Sequence, residues 1–556
     1  MLASEAVGAA VAQLGVESVF GLAGSGNFRV INALVANGVG YHAACHEAGA
    51  VAMADGYARA SGRVGVATVH QGPGVTNTVT ALAEATKSRT PLVVLAPEAP
   101  AEGLHTNQAL DQAPLVKAVG AGTVRLERPG DAGADAGIAF QRAAAERRPI
   151  VLLLPTEILG RGCPAVAYDP PMPPAPAPLE PSAEAVVMLA DALRAARRPL
   201  ILAGRGAVAA DAGPALRRLA ARAGAVLSTT IVAKGLFADE PFEIGFLGGL
   251  ASPLATRLAA QTDLLVAFGA SLDAWTTCGG RVPEPGVAVA LVDADPDALA
   301  RHPSASLTVL GDAAATAEAV AELLDADAPP RSWRSPELAA RLAGYRRSDD
   351  IPAPDSELLD PRRLAAELDE LLPADRTVAV DSGHFLAFAS MYLNSQHGRA
   401  FLFAQGFQSV GLGLAVGIGA AVARPGVITV AICGDGGAKM SMLELDTAVR
   451  EQLPLVLVIF DDGGYGAEVH DFEPLGEPVD IARFPSRDYA AVGRALGAHG
   501  TTVRETSDLT ALTDWLDRPD RPLVLDCKVD PEVDAVTVMT DVGIAEWSLP
   551  ARSTAA

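Results

Sequence analysis

The sequence predicts three α/β domains, each built on a doubly wound parallel sheet. Short Val/Ile/Leu runs alternate with Ala-rich stretches of helical period along all 556 residues, which is typical of parallel strands covered by helices on both faces. Two proline-rich stretches interrupt this alternation and predict a linker at 168–185 and a partly helical connector at 325–357. The predicted domains span residues 1–165, 183–325 and 358–545.

The strands follow from the apolar runs, taken in chain order. The first domain should contain a strand that ends near Cys45, and further strands at 63–69, 91–96 and 150–155. The second domain should contain strands at 199–204, 263–269 and 288–293, and the third at 377–381, 427–433, 455–460 and 523–527. Because strands and helices alternate throughout, each domain should close a sheet of its own.

Composition and charge exclude several classes of protein. Half of the residues are hydrophobic and a fifth are charged, which predicts large buried cores. The formal net charge of -23 argues against nucleic acids and anionic membranes as partners. The five cysteines lack metal-ligand spacing, which fits a reducing compartment without disulfides. The first residues carry Glu5 and no basic segment, so they predict a helix rather than a signal peptide, and we expect a cytoplasmic protein.

One uncharged stretch, residues 401–423, is long enough to span a bilayer. It contains five glycines, two glutamines and a serine, and it leads through Arg424 and Pro425 into a predicted strand. We therefore predict a loop and a buried helix packed closely under a ligand.

Two carboxylates in the third domain end consecutive strands. Asp435, in "CGDGG", and Asp462, in "FDDGG", are 27 positions apart with a helical stretch between them. The carboxyl ends of neighbouring parallel strands lie at one sheet edge, where open parallel sheets bind their ligands. Two hard oxygen donors among glycines suggest a divalent ion that holds a phosphorylated ligand close to the backbone. Two ordinary acidic turns remain the alternative for this motif alone.

The first domain contains a second candidate constellation. Glu47 opens a predicted helix, and the residues 48–54 that follow are small or apolar. A glutamate in a first helical turn usually lies on the surface, but this flank offers no polar face, so Glu47 is a candidate buried carboxylate with a raised pKa. "HQGPGVTN", 70–77, predicts a strand-to-helix turn with a helix start at Thr76 and Asn77. His70 should face the same crevice, with a structural histidine as the alternative.

Taken together, these motifs resemble the thiamine diphosphate enzymes, in the branch that contains acetolactate synthase, pyruvate oxidase and benzoylformate decarboxylase. The resemblance rests on Glu47 with "GPGVTN", on Gly434-Asp435-Gly436 with the later Asp462 turn, and on "RPLILAGRGA", "TDLLVAFGASLD" and "VDADPDAL" between them. It covers nearly the whole chain in the family's order. It implies a pyrimidine-binding, a central and a pyrophosphate-binding domain.

The resemblance implies a magnesium ion held on the cofactor's diphosphate by Asp435, Asp462 and the backbone carbonyl of Gly464. It also implies diphosphate contacts at the amides of Gly436 and Gly437. The family usually has asparagine at the positions of Asp461 and Asp462. The additional negative charge must be neutralised, which leaves the metal preference open.

The other cofactor contacts are also implied by the resemblance. Val410, in "QSVGLG", takes the large apolar position that bends the cofactor, and backbone groups of Gln408 and Val410 bind the aminopyrimidine ring. The remaining contacts with the cofactor are Ser382, Gly383, His384, Gly434 and Tyr465. Glu47 matches the glutamate that protonates the aminopyrimidine, which leads to the ylid nucleophile on the thiazolium carbon.

The implied reaction is attack on a 2-oxo acid and loss of carbon dioxide, followed by one of several fates. Gln108 matches the glutamine of acetolactate synthases near the reacting carbons, which favours carboligation to an aldehyde or a second oxo acid. Thr156 replaces the lysine of those synthases, and "AEVHDFEPLG", 467–476, replaces their arginine- and tryptophan-bearing segment. A housekeeping acetolactate synthase is therefore not expected.

Several alternatives stay open. Ser25 and His70 match the active-site serine and histidine of benzoylformate decarboxylase, so a simple decarboxylase is the second hypothesis. His470 is a candidate proton donor, with a surface histidine as the alternative. A non-catalytic relative would have no need for Glu47, and a dinucleotide-dependent oxidoreductase lacks its glycine motif in the required context. No residue decides whether the central domain holds flavin.

The family's active site lies between the Glu47 domain of one subunit and the Asp435 domain of another. The resemblance therefore implies a homodimer or a homotetramer.

Overall fold

A computed structural model of the chain describes residues 1–100, 107–164, 177–324, 333–353 and 356–535. These residues form three parallel sheets of six strands each, which confirms the predicted fold class. We call the parts that hold the sheets the N-terminal, central and C-terminal domains. The predicted domain ends at 165, 325 and 545, and part of the predicted linker at 168–185, lie outside the described residues.

The N-terminal domain contains six strands and eight helices. Its strands are β1 Ser18–Gly21, β2 Gly40–Ala43, β3 Gly65–Thr68, β4 Leu92–Glu98, β5 Gly122–Arg125 and β6 Pro149–Pro155. Its helices are α1 Ala3–Gln13, α2 Phe28–Ala36, α3 Glu47–Ser61, α4 Pro73–Thr76, α5 Val79–Lys87, α6 Gln112–Ala118, α7 Ala132–Glu146 and α8 Thr156–Leu159.

The central domain contains six strands and six helices, and a further helix lies in the connector. The strands are β7 Pro199–Ala203, β8 Val226–Thr229, β9 Glu243–Phe246, β10 Leu264–Phe268, β11 Ala288–Asp293 and β12 Leu307–Leu310. The helices are α9 Ala183–Ala195, α10 Arg205–Ala209, α11 Gly213–Ala223, α12 Pro253–Ala259, α13 Pro296–Ala300, α14 Ala313–Leu323 and, in the connector, α15 Pro336–Ala343.

The C-terminal domain contains the last six strands and eight helices of the described chain. Its strands are β13 Arg376–Val380, β14 Phe401–Phe403, β15 Ile428–Gly434, β16 Leu455–Asp461, β17 His499–Val503 and β18 Leu523–Lys528. Its helices are α16 Pro361–Leu371, α17 Leu386–Tyr392, α18 Gly413–Ala423, α19 Asp435–Ser441, α20 Leu445–Arg450, α21 Gly466–Phe472, α22 Tyr489–Ala495 and α23 Thr510–Leu516.

Local sequence accounts for many of the helix ends. Ser182, Asp312 and Asp360 each accept a backbone N–H of the first turn of the helix that they precede. Such caps satisfy amides that have no partner inside the helix. Gly62 ends α3 in the left-handed conformation, which glycine adopts without steric cost. These residues therefore define where the helices begin and end.

The N-terminal and C-terminal sheets have the same strand order. The N-terminal order is β2-β1-β3-β4-β6-β5, and the C-terminal order is β14-β13-β15-β16-β18-β17. The central sheet differs, with the order β12-β11-β10-β7-β8-β9. Alternate residues of β4, such as Val93 and Val94, enter two separate hydrophobic clusters. The strands are therefore buried on both faces, as the continuous apolar runs predict.

The N-terminal and C-terminal domains pack through α3 and α18, which are rich in glycine and alanine. A Cβ atom on Gly56 would lie 2.0 Å from the carbonyl oxygen of Val416, and one on Gly419 would lie 1.8 Å from that of Met53. The two backbones therefore touch, and only glycine fits at these points. The small flank of Glu47 is buried because it packs against α18.

Three expectations need correction or extension. Stretch 401–423 forms β14, a loop and the buried helix α18, so it contains a short strand that the sequence did not predict. The strands β1, β5, β8, β9, β12 and β17 were also missed. The helix after His70 begins at Pro73, so Thr76 and Asn77 lie at the end of α4 instead of its start. Within the described part of the chain, no helix has the length and apolar character needed to cross a membrane.

Candidate active site

A cavity of about 450 Å³ opens at the carboxyl ends of the C-terminal strands. Leu250, Ala274 and Trp275 of the central domain cover one side of it. Its lining includes all twelve C-terminal residues that the sequence assigned to the cofactor or metal: Ser382, Gly383, His384, Gln408, Val410, Gly434, Asp435, Gly436, Gly437, Asp462, Gly464 and Tyr465. The volume suits a small-molecule ligand.

Asp435 is the most perturbed carboxylate of this cavity. It is the first residue of α19 and is 1% exposed. Its Oδ1 accepts the N–H of Gly436 at 2.9 Å, while its Oδ2 is buried without a hydrogen-bond partner among the described residues. Burial, together with the negative charges of Asp462 and Asp461, raises the pKa of Asp435 to about 8. A buried oxygen with no donor and surplus negative charge around it fits a bound cation.

Asp461 and Asp462 have different surroundings, although both replace the family's asparagines. The Asp461 carboxylate accepts hydrogen bonds from the Lys528 ammonium at 2.5 Å and from the Ser486 hydroxyl at 2.6 Å. Asp462 lines the cavity, and burial raises its pKa against the opposing effect of His384. Asp461 is therefore neutralised inside the fold, and Asp462 is the carboxylate that faces the ligand space.

The residues around Asp435 fit a hard divalent ion with a diphosphate. Two carboxylates supply the oxygen donors that magnesium prefers. A Cβ atom on Gly436 would lie 2.6 Å from the Tyr465 ring, and one on Gly437 would lie 2.5 Å from the Asp381 carboxylate. Side chains at these two positions would fill the space beside the carboxylates. Their absence leaves the backbone open to a close ligand.

The turn 408–411 is held from beneath by Asp381, which the sequence analysis missed. Asp381 accepts the N–H groups of Gly411 at 2.8 Å and of Leu412 at 3.1 Å. Burial raises the pKa of Asp381 to about 6, although the hydrogen bonds from these amides act to lower it. Gln408 adopts a left-handed φ of 59°, and its carbonyl accepts the Ser382 hydroxyl at 3.3 Å. Asp381 directly follows β13, so its place at a strand end was the available signal.

His384 and His470 stack with their ring centroids 4.5 Å apart. His384 lines the cavity and accepts the N–H of Ala535 at 2.9 Å, while His470 donates to the Pro531 carbonyl at 3.0 Å. Burial and the neighbouring His384 lower the pKa of His470. These two rings and the Asp534 carboxylate lie close enough to hold a metal, but both Nε2 atoms already bind backbone groups. His470 lies behind His384 and does not line the cavity.

The sequence also missed two acidic residues at the cavity. Glu468 and Asp471, both on α21, line it beside the metal turn. Burial raises the pKa of Asp471. Their position shortly after Asp462 in the sequence was the available signal, because a short helix that follows a ligand-binding turn returns its first residues to the same edge.

Glu47 lies at the corresponding edge of the N-terminal sheet, as the first residue of α3. It is 8% exposed, and its Oε2 accepts the Asn77 amide at 2.9 Å. A Cβ atom on Gly74 would lie 3.4 Å from its Oε1. The turn 72–77 therefore encloses the Glu47 carboxylate and fixes its orientation.

The other N-terminal candidates form one cluster. His70 accepts the N–H of Gly26 at its Nδ1, at 3.3 Å, and its Nε2 lies 3.1 Å from Gln108 Oε1, so the neutral ring donates there. Gln71 donates to the same Gln108 oxygen at 3.0 Å. Ser25 is exposed in the turn whose Gly24 and Gly26 contact the His70 ring. Ser25, His70 and Gln108 therefore lie together.

The cavity at Asp435 and the turn at Glu47 are separate within the described residues. Among the described residues that line the cavity at Asp435, none belongs to the N-terminal domain. Glu47 therefore does not line this cavity in the described part of the chain.

A second cavity, of about 460 Å³, lies between the central domain and its neighbours. Its basic lining residues are Lys87, Arg89, Arg147, Arg205 and Arg301. Burial lowers the pKa of Arg205 to about 10. This cationic lining suits an anionic ligand in a protein of strongly negative charge. The sequence left open whether the central domain holds flavin.

Comparison with known proteins agrees with this architecture. Residues 1–115 match the family described as thiamine pyrophosphate enzyme, N-terminal TPP binding domain, residues 186–320 match its central domain, and residues 381–527 match its C-terminal TPP binding domain. The fold and the site therefore define a three-domain thiamine diphosphate-binding protein.

Full-length relatives point the same way. A Pseudomonas aeruginosa protein named probable 2-ketoarginine decarboxylase is 33% identical, over 92% of this chain and 90% of its own. A sulfoacetaldehyde acetyltransferase of Castellaniella defragrans is 29% identical, over 92% and 89%. The acetolactate synthase isozyme 2 large subunit of Escherichia coli is 28% identical, over 93% of each chain. The chain belongs to the thiamine pyrophosphate enzyme family.

Proposed function

We propose that this enzyme is a magnesium- and thiamine diphosphate-dependent carboligase that condenses a 2-oxo acid donor with an aldehyde or a second oxo acid. One observation carries the cofactor assignment. Asp435, whose Oδ2 is buried without a partner among the described residues, lines a cavity whose lining includes every C-terminal residue that the family motif predicts. The relatives named acetolactate synthase and sulfoacetaldehyde acetyltransferase support group transfer to an acceptor.

Each C-terminal residue has a proposed role in binding. Asp435, Asp462 and the Gly464 carbonyl hold magnesium. Val410 supports the cofactor from beneath, and the backbone of Gln408 and Val410 binds its aminopyrimidine. The contacts with the diphosphate come from Ser382, Gly383, His384, Gly436 and Gly437, next to Gly434 and Tyr465.

Bound thiamine diphosphate would supply a nucleophilic thiazolium carbon for reaction with the carbonyl carbon of a 2-oxo acid. Glu47 would move a proton between its carboxyl group and a ring nitrogen of the aminopyrimidine. Asn77 supports this role because it fixes one carboxylate oxygen. The other oxygen, Oε1, has no hydrogen-bond partner among the described residues and is free to contact a ligand.

The complete site requires the N-terminal domain of one chain and the C-terminal domain of another. The separation of Glu47 from the cavity within one chain supports at least a homodimer. Light scattering tests this directly, because a monomer that still turns over 2-oxo acid contradicts it.

Carboligation is favoured over simple decarboxylation by Gln108. Its side chain is oriented by His70 and Gln71 and is therefore available to position an acceptor. The cluster with Ser25 and His70 supports the second candidate, a 2-oxo acid decarboxylase, and the Pseudomonas aeruginosa relative carries that name.

The test is a panel of 2-oxo acids, assayed for carbon dioxide release and for condensation products with and without an acceptor aldehyde. We expect both products, only with magnesium and thiamine diphosphate, and loss of both after chelation. Carbon dioxide release with no condensation product would favour the decarboxylase. No increase in melting temperature at saturating cofactor and metal would contradict the cofactor assignment.

A further inference from the structure

Two buried glutamates cross the interface between the N-terminal and C-terminal domains in opposite directions. The first is Glu444, in the short 3-10 helix Met442–Glu444 that follows α19. It is 4% exposed, and its two carboxylate oxygens accept the N–H groups of Cys45 and His46, each at 2.9 Å. These residues directly precede Glu47. The C-terminal domain therefore holds the backbone that presents Glu47.

The second is Glu84, on α5 of the N-terminal domain. It is 1% exposed, and it accepts the N–H of Gly406 at 3.0 Å and of Phe407 at 2.6 Å. These residues directly precede Gln408. The N-terminal domain therefore holds the backbone that leads into the turn at Gln408 and Val410.

The two glutamates occupy corresponding places in two sheets with the same strand order. Each follows the third strand of its own sheet, β3 or β15, and a glycine-containing turn with a short helix. Each binds two consecutive amides just beyond the second strand of the other sheet, β2 or β14. The helices that follow those amides, α3 and α18, pack against each other. The two braces are thus related by an approximate two-fold arrangement of the domains.

A carboxylate suits this task because it offers one oxygen to each of two adjacent buried amides. Amides before a helix have no partner within it, and leaving them unpaired in a buried site costs free energy. Hydrogen bonds to an ionised acceptor are also stronger than those between neutral groups. The fit is close, because a Cβ atom on Gly49 would lie 2.1 Å from the Glu444 carboxylate.

The two braces differ in their local charge. The pKa of Glu84 is lowered overall. Burial alone would raise it, but the Arg59 guanidinium at 2.8 Å and the Phe407 amide together have the larger, opposite effect. Among the described residues no such ion pair forms at Glu444, where burial raises the pKa and the Cys45 and His46 amides lower it less. Glu84 therefore belongs to an ion-pair network, whereas Glu444 contacts mainly backbone.

We propose that Glu444 and Glu84 are reciprocal positioning residues, Glu444 for the carboxylate of Glu47 and Glu84 for the turn that carries Gln408 and Val410. The proposal rests on the proposed function. It predicts different consequences for the two glutamates. Glu444 should control proton transfer at Glu47, and Glu84 should control affinity for the aminopyrimidine end of the cofactor.

A further consequence follows for a dimer with shared sites. The Glu47 of a chain completes the site on its partner, whereas the Asp435 of the same chain stays in its own cavity. Glu444 lies close to Asp435 in the chain but positions Glu47. Its effect should therefore appear at the site built on the partner's C-terminal domain.

The first experiment measures three quantities in Glu444→Gln and Glu84→Gln: the exchange rate of the thiazolium proton, the Kd of thiamine diphosphate with magnesium, and the melting temperature. Glutamine keeps the side-chain length but replaces one acceptor by a donor. Small misplacements of catalytic groups cost up to about a hundredfold. We expect E444Q to slow exchange by about tenfold to a hundredfold with less than about a threefold change in Kd, and E84Q to raise Kd by about tenfold.

The control is Glu318→Gln, which removes an exposed carboxylate paired with Arg218 in the central domain. It should leave all three quantities unchanged. A purely structural role predicts that E444Q and E84Q lower the melting temperature and change exchange and Kd in the same proportion. That outcome, or unchanged exchange in E444Q, would overturn the proposal.

The second experiment uses mixed dimers of differently tagged chains, one with Glu47→Gln and one with Asp435→Asn. Both lesions fall in one shared site, so the other site is intact and the mixed dimer should regain activity that neither homodimer has. A mixed dimer without activity would contradict the shared site of the proposed function rather than the role of Glu444.

Glu444→Gln is then added to one chain or the other, so both arms carry the same single substitution and the same effect on folding. On the chain with Asp435→Asn it should lower activity by about tenfold or more, because that chain supplies the intact Glu47. On the chain with Glu47→Gln it should have little effect. The reverse pattern, or equal losses in both arms, would overturn the proposal.

Discussion

The N-terminal and C-terminal domains share one strand order but place different chemistry at the same edge of the sheet. The N-terminal edge carries Glu47, whose one oxygen is paired with Asn77. The C-terminal edge carries Asp435, Asp461 and Asp462, and Asp435 has an oxygen with no donor among the described residues. One edge thus presents a single carboxylate held by a hydrogen bond, and the other presents a cluster of carboxylates, to which we assign the proposed proton transfer and cation binding respectively.

This difference teaches that the topology supplies positions and the residues supply function. In both sheets the loop after the third strand turns over glycines and faces the ligand crevice, as expected for open parallel sheets. In the N-terminal domain that loop encloses a carboxylate from the neighbouring helix, whereas in the C-terminal domain it provides the carboxylate itself. The following predictions test how independent the two edges are.

The largest effect should come from Glu47→Gln. Glutamine keeps the contact with Asn77 but cannot pass a proton to the cofactor, and general acid–base steps typically contribute about a hundred- to ten-thousand-fold. We expect exchange of the thiazolium proton with deuterated water to slow by that factor. Cofactor affinity should change much less, because the diphosphate and metal contacts belong to the other edge.

Exchange of the thiazolium proton requires no knowledge of the substrate. If E47Q exchanges this proton as fast as the unmodified enzyme, Glu47 is only a carboxylate at a helix start. A large loss of cofactor affinity in E47Q would instead show that the two edges are not independent.

The next largest effect should come from Gly56→Ala, at the contact between the two domains. The added Cβ atom would lie 2.0 Å from the Val416 carbonyl oxygen, so α3 and α18 must move apart. Overpacking of this kind costs about 3 kcal/mol. We expect a lower melting temperature by calorimetry, together with weaker cofactor binding. Gly130→Ala, where a Cβ atom meets nothing within 4 Å, is the matched control and should leave both unchanged.

The C-terminal edge was the most predictable part of the molecule. Its carboxylates and glycines directly follow long apolar strands, so the sequence alone brought Asp435 and Asp462 to one place. The strands that were missed are three to five residues long, as in β1 Ser18–Gly21 and β14 Phe401–Phe403, and such short runs give little periodicity. The burial of Glu47 was also predicted from its apolar flank, which packs against α18.

Contacts between distant segments could not be predicted in the same way. Glu444 binds Cys45 across 399 positions of the chain, and Lys528 neutralises Asp461 across 67. Neither lysine nor glutamate at these positions carries a local signal, because their partners are defined only by the packing of the domains. The sequence consequently identified the residues that line the C-terminal cavity better than those that hold them in place.

A smaller effect should separate Asp461 from Asp462. Asp461→Asn removes a charge that pairs with Lys528. Because Lys528 keeps Asp526 at 2.8 Å as a second partner, we expect the free energy of unfolding to fall by only about 2 kcal/mol. Asp462→Asn restores the family's usual donor and removes a like charge near Asp435. It should leave magnesium-dependent cofactor binding intact or tighter, with little change in melting temperature. Loss of that binding in D462N would show that the carboxylate itself is required.

The smallest effect concerns the central domain, which is not part of the comparison between the N-terminal and C-terminal domains. We expect this domain to add its own pH dependence to the stability of the protein. Burial raises the pKa of Glu243, at the start of β9, from 4.5 to about 7, against the opposing effect of Lys234. The folded state therefore favours the neutral carboxyl group. This contribution to stability is fully present below pH 4.5 and is lost as the pH rises through about 7.

Glu243→Gln should remove this part of the pH dependence, because the amide stays neutral throughout. Calorimetry without metal or cofactor should compare the free energy of unfolding at pH 5 and at pH 7.5. We expect the decrease between these two pH values to be smaller in E243Q than in the unmodified protein, by about 2 kcal/mol. For a domain of this size that corresponds to a few degrees in melting temperature. Thiazolium proton exchange should stay unchanged, since Glu243 lines neither the Asp435 cavity nor the Glu47 turn. An unchanged pH dependence of stability in E243Q would mean that Glu243 is ionised in the folded enzyme. The dependence would then arise from other buried groups, among them Lys234, whose pKa burial lowers to about 7.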